Sequence, residues 1–89
     1  MLYEIASITD HNCVIKEEPE AVSRMKRVVE LDEDDIILGK PLFMSCVKPG
    51  FLKSLITSPV QYFSDQSDML MIETLNSRYF LKPVQEINN

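Results

Sequence analysis

A proline inside an otherwise regular strand constrains a short chain more than any other feature of this sequence, and Pro59 occupies such a place. The stretch SLITSPVQYFSDQSDMLMIETLNSRYFLKP, residues 54 to 83, reads as two strands around a polar turn at Ser64, Asp65, Gln66, Ser67 and Asp68. Pro59 has no N–H to give to a ladder, so the first strand must run along an edge, carry a bulge or bend there. A bend is the most economical solution. It lets the first half of one strand pair with the strand before it and the second half with the strand after it, which is how small barrels turn corners. Centring the hairpin on the 64 to 68 turn puts Phe63 beside Met69, Val60 beside Ile72, Ser58 beside Thr74 and Ile56 beside Asn76.

That pairing collects polar residues that look scattered along the chain. Thr57, Ser58, Thr74, Asn76 and Ser77 fall into one patch, with Arg78 and Tyr79 next to it. Two readings follow. Hydroxyl and amide side chains beside a proline satisfy backbone groups at a bulge, a local structural role. Alternatively, Thr57, Ser58, Thr74, Asn76, Arg78 and Tyr79 form a ligand-binding set, with Arg78 as the charged contact and Tyr79 as a stacking surface.

The preceding segment, PLFMSCVKPGFLKSLI, has two apolar runs separated by Lys48, Pro49, Gly50 and Phe51, a sequence suited to a type II turn. Its register sets Val47 against Leu52 and Phe43 against Ile56, an apolar face for the core, with Lys53 on the other side. Residues 2 to 8 fit a strand. Thr9, Asp10, His11 and Asn12 supply a turn before the short apolar piece Cys13, Val14, Ile15. Residues 17 to 35 are ambiguous: Pro19 among glutamates suits a helix start with Val22, Met25 and Val29 on one face, while Val28 and Val29 suit an extended 24 to 31 after a loop. The balance favours the extended reading. Asp32, Glu33, Asp34 and Asp35 form a solvated turn, and Gly39 with Pro41 marks entry to the next strand.

Eighty-nine residues are enough for one core only, so residues 1 to 89 are expected to form a single domain. The sum of these elements predicts a mainly β chain, a small barrel or roll of about five or six antiparallel strands with at most one short helix. With no Trp and only seven Phe and Tyr, the core must rely on aliphatic residues and Met, and oligomerisation is one remedy for thin packing. The net charge of −5 is uneven, because residues 1 to 35 carry ten acids and four bases. Such a balance argues against gripping a nucleic-acid backbone, which needs clustered positive charge. No apolar run approaches a membrane span, and two cysteines with no leader-like start point to a reducing cytoplasm. Cys13 and Cys46 read as small core residues.

Chemistry finds few handles. The lone histidine, His11, sits in a turn, and the two cysteines lack metal-ligand spacing, so neither a catalytic set, a structural metal site nor a cofactor is expected. Gly39–Lys40 lacks a phosphate-loop context because Pro41 stands where a Ser or Thr is needed. The pattern TSPV, a spacer, then TLNSRY resembles a hairpin of short bacterial and phage β-proteins. The likeness covers about a third of the chain; it implies that residues 57 to 60 and 74 to 79 form one unit in a microbial or viral protein, and it implies no activity.

The reading is therefore of a non-enzymatic protein that acts through protein–protein contacts, an inhibitor or adaptor, as a homo-oligomer. Asp32, Glu33, Asp34 and Asp35, or an exposed sheet edge, would meet the partner. The alternative is an oligomer that sequesters a nucleotide or other small anion at the Thr, Ser, Asn and Arg patch.

Overall fold

The computed structural model describes residues 1–48, 53–66 and 68–84. Six antiparallel strands close into a barrel in chain order: β1 (Leu2–Thr9), β2 (Val28–Glu30), β3 (Pro41–Lys48), β4 (Leu55–Gln66), β5 (Met69–Thr74) and β6 (Arg78–Pro83), with β6 returning to pair with β1. One short helix, α1 (Pro19–Arg24), lies between β1 and β2, and a single 3-10 turn covers Glu33–Asp35. Closure follows from length: β4 has twelve residues, enough to serve two neighbours. Its first part pairs with β3, through Leu55 to Met44 and Ile56 to Phe43, and its second with β5, through Val60 to Thr74 as far as Gln66 to Met69. The bend expected at Pro59 is the corner of the barrel.

The corner has a backbone logic. Pro41 faces Pro59 across β3 and β4, so two residues without an N–H meet and the ladder shifts there. The chain just before β3 fills the gap: Gly39 N donates to Val60 O at 2.7 Å, and Val60 N donates to Lys40 O at 2.9 Å. Gly39 has φ +87°, a conformation that a side chain would strain. Pro59 O in turn accepts from Leu75 N at 2.9 Å.

Inward positions alternate along each strand. Ile5 and Ile8 from β1, Val29 from β2, Leu42 and Met44 from β3, Val60 from β4, Leu70 and Ile72 from β5 and Leu81 from β6 are almost wholly buried. The interior is filled by aliphatic side chains, as the lack of large aromatics requires. Ala21 is the buried residue of the helix, which it seats on this core.

Five features differ from the sequence-based expectations. The Phe43 to Ile56 pairing is present, but the face is inverted: Phe43 is 65% exposed and Ile56 51%, while Leu42, Met44 and Leu55 point inward. Both phases of β3 are apolar, so alternation does not choose between them. The β4–β5 turn is also tighter, placing Phe63 opposite Ile72 rather than Met69; a bulge between Val60 and Tyr62 recovers one residue of that shift, so Val60 faces Thr74 rather than Ile72 and Ser58 meets Asn76 rather than Thr74. Residues 19 to 24 are helical with Pro19 at the first turn, and the strand is confined to Val28–Glu30. Lys26 takes the left-handed conformation after the helix, φ +68°, which lets its N–H reach Ile5 O at 2.7 Å. The expected hairpin after β1 is reduced to a bridge between Thr9 and Ile15. Cys13 lies exposed in that turn, not in the core, and Cys46 is partly buried. The type II turn at residues 48 to 51 and the Val47 to Leu52 pair lie outside the described residues.

Candidate functional site

The polar residues that interrupt β4 and the β5–β6 turn replace ladder bonds lost at the corner. Leu42 N donates to Thr57 Oγ1 at 3.1 Å, and Thr57 Oγ1 donates to Ser58 O at 2.7 Å, both inside the wall of the barrel. Asn76 N donates to Ser58 Oγ at 3.2 Å. Thr74 N donates to Ser77 O at 2.7 Å, while Ser77 N donates to Thr74 Oγ1 at 3.2 Å. With the threonine hydroxyl taking that N–H, Thr74 O is left to accept from His11 Nε2 at 2.9 Å, which fixes the protonated nitrogen of the ring. Buried polar groups cost little when partnered this way.

Beside this corner is an open cleft of about 470 Å³ between the helix and the barrel. Ser58, Asn76, Ser77 and Tyr79 line it from the barrel, and Lys16, Glu18, Glu20 and Arg24 from the segment that carries α1. Ile8, Ala21 and Ile56 form its apolar wall. The helix positions the charges: Glu20 and Arg24 are four residues apart on one face, and Arg24 Nη2 donates to Glu20 Oε1 at 2.7 Å. Arg24 Nη1 donates to the hydroxyl of buried Tyr79 at 2.8 Å, which ties the helix to β6.

Of the ligand-binding set read from the sequence, Ser58, Asn76 and Tyr79 are therefore together at the cleft. Thr57 and Thr74 are buried beside it with their hydroxyls bonded to backbone. Arg78 is directed elsewhere: its Nε donates to Glu73 Oε1 at 2.8 Å across the β5–β6 pair, and Nη1 reaches Cys13 Sγ at 3.2 Å. The arginine of the cleft is Arg24. Sequence reasoning missed it and Lys16 because both belong to the segment read as loop and strand; the signal was the Glu20 and Arg24 spacing after Pro19.

The acidic run sits at the other expected surface. Asp32, Asp34 and Asp35 are exposed, and the amino terminus lies 2.6 Å from Glu30 Oε1 and 3.5 Å from Asp32 Oδ1. A hydrogen bond to Asp65 pushes the Glu33 carboxyl above its ordinary value of 4.5. Backbone N–H groups of Val14 and Asn12 pull Asp10 below its ordinary value of 3.8. These act in opposite senses. A glutamate raised on folding adds stability that is full below its unfolded pKa and is lost as pH rises through the folded value; a lowered aspartate adds stability that is lost as pH falls through its folded value. Glu33→Gln retains a donor for Asp65 without titrating. Its melting temperature is expected to fall less than that of the parent as pH rises from 4 to 6.5, a pH window about as wide as the usual spread of carboxylate pKa values. Superimposable pH profiles would contradict a shared proton between Glu33 and Asp65.

No group of three or more His, Cys, Asp or Glu side chains among the described residues is arranged to hold a metal. Among the same residues no helix is long and apolar enough to cross a membrane. Comparison of the chain with protein-family models, curated proteins and solved structures gives no match.

Proposed function

We propose that this barrel is a non-catalytic binding protein that acts through protein–protein contacts in a reducing cytoplasm, assembled as a homo-oligomer, an inhibitor or adaptor of the kind a phage or mobile element encodes. The observation that carries this reading is the outward pair Phe43 and Ile56, two large apolar side chains directly opposed on the outside of the barrel. Among the described residues every strand is hydrogen-bonded to two neighbours, which favours the outer face over strand addition at an edge as the contact surface. That face carries Pro41, Phe43, Ser45 and Val47 along β3, with Ile56 and Ser58 beside them on β4 and the charged, exposed Lys48 and Glu30 at its margin. The occupant is a second copy of the chain. A two-fold contact presents the same patch twice, and an apolar strip meets its own copy without like-charge repulsion in a protein of net charge −5. Asp32, Glu33, Asp34 and Asp35 lie outside that strip and serve a further protein partner by steering rather than by burial.

Phe43→Ser with Ile56→Ser tests this. Sedimentation at about 50 μM is expected to show an oligomer for the parent and a monomer for the double variant, with both remaining folded. A parent that sediments as a monomer would contradict the reading.

The cleft favours a second reading, an oligomer that sequesters a small anion, a nucleotide among them. Three residues of the sequence-derived set and two cations meet there.

A further inference from the structure

The deep cation of the cleft is Arg24, and the carboxylate that neutralises it stands at the rim. The Arg24 side chain is 17% exposed, that of Glu20 77%. The bond from Arg24 to Tyr79 holds the guanidinium plane in place, while the bond to Glu20 depends on a side chain otherwise in water. An ion pair with one solvated partner is weak and exchanges readily for another anion of matching geometry. Arg24 has five N–H donors, two of them engaged by Tyr79 and Glu20, so a planar or tetrahedral oxyanion can be bound with the guanidinium unmoved.

The rest of the lining points to the size and character of the occupant. A volume of about 470 Å³ is more than a bare oxyanion fills and lies in the range of ordinary small-molecule sites. Lys16 adds a second positive charge and Glu18 a second carboxylate, so the cleft is balanced until an incoming anion displaces Glu20. The Ser58 hydroxyl and the Asn76 carboxamide add neutral donors, and Ile56, backed by the buried Ile8 and Ala21, offers an apolar surface on which an organic body can lie.

Building on the second reading above, we infer that Glu20 stands in for the anionic head of a ligand on Arg24. The cleft takes an organic anion whose phosphate or carboxylate displaces Glu20 from Nη2 and whose apolar or planar body covers the wall between the helix and the barrel. Glu20 is then a built-in competitor that lowers affinity, and Arg24 with Tyr79 is the anchor.

The test is a titration of isotope-labelled protein with adenosine 5′-monophosphate and with benzoate, following the Arg24 Nε–H and the Asn76 amide by NMR. Adenosine and inorganic phosphate, which carry the body or the head alone, are the controls. One of the two organic anions is expected to shift both signals and to bind at least about tenfold more tightly than either control. Which one does so separates phosphate from carboxylate recognition. Glu20→Gln is expected to tighten that binding about threefold, by removing the competing carboxylate from an exposed position that the fold does not need. Arg24→Lys keeps the charge but not the fork and is expected to weaken it. If neither organic anion moves these signals at about 5 mM, the cleft is not an anion site and the second reading falls with the inference. If the parent binds and Glu20→Gln binds no better, the cleft stands and the role given to Glu20 is overturned.

Discussion

Leu81→Ala is expected to destabilise the barrel by about 3 kcal/mol, the middle of the range for a buried leucine truncated in a core that cannot collapse around the gap. Leu81 is wholly buried in β6 and pairs with Ile5 of β1 on one side and Leu70 of β5 on the other. Those three side chains close the seam where the last strand meets the first. A chain of this length has a total stability on the order of 4 to 13 kcal/mol, so the loss is a large part of it. Urea denaturation measures it. Phe43→Ala is the internal control: it removes a larger side chain, but one that lies mostly in solvent, so the monomer should lose under about 1 kcal/mol. Equal losses at the two positions would mean that the inside and outside of the barrel have been assigned the wrong way round.

Thr74→Val is expected to cost about 2 kcal/mol, although it removes no volume. Thr74 is fully buried, and its hydroxyl is the acceptor for Ser77 N. Valine fills the same space and leaves that N–H without a partner inside the protein, where an unsatisfied donor costs about 1 to 3 kcal/mol. The backbone bond from Thr74 N to Ser77 O remains, so the turn should weaken rather than vanish. A stability unchanged from the parent would show that the hydroxyl has no part in holding the turn.

What was legible in the sequence was whatever depended on a missing donor or a turn. Pro59 could not sit in a flat central strand, and from that restriction came the shared strand β4; the mainly β class and the strand number came from the sum of the strand and turn signals. The neighbourhood of Ser58 and Asn76 was legible for the same reason, even though the turn at residues 64 to 68 is tighter than its composition suggests. The bulge between Val60 and Tyr62 takes back one residue of the register shift, and the remaining two still leave Ser58 and Asn76 in the same patch.

Other features were not legible, for identifiable physical reasons. In β3 the residues of both phases are apolar, Leu42 and Met44 on one side and Phe43 and Val47 on the other. Which phase faces inward depends on tertiary packing, and the choice of Leu42 is tied to its N–H bonding Thr57. The end of α1 was hidden because a lysine, not a glycine, takes the left-handed position after it. That helix in turn brings Arg24 to Tyr79 across more than fifty residues, so the charged member of the cleft could not be read from the hairpin motif. Arg78, adjacent to Tyr79 in sequence, points out of the cleft because neighbours on a strand face opposite ways.

At the base of all of this lies the claim that side-chain hydroxyls bond backbone groups left without ladder partners where the register shifts at two facing prolines. Amide hydrogen exchange at Leu42 addresses it directly. In the parent, the Leu42 N–H should exchange as slowly as those of fully paired residues in β5, and in Thr57→Val it should speed up selectively while β5 stays protected. A Leu42 amide that exchanges in the parent as fast as an exposed loop would contradict the claim, and with it the corner on which the barrel closes.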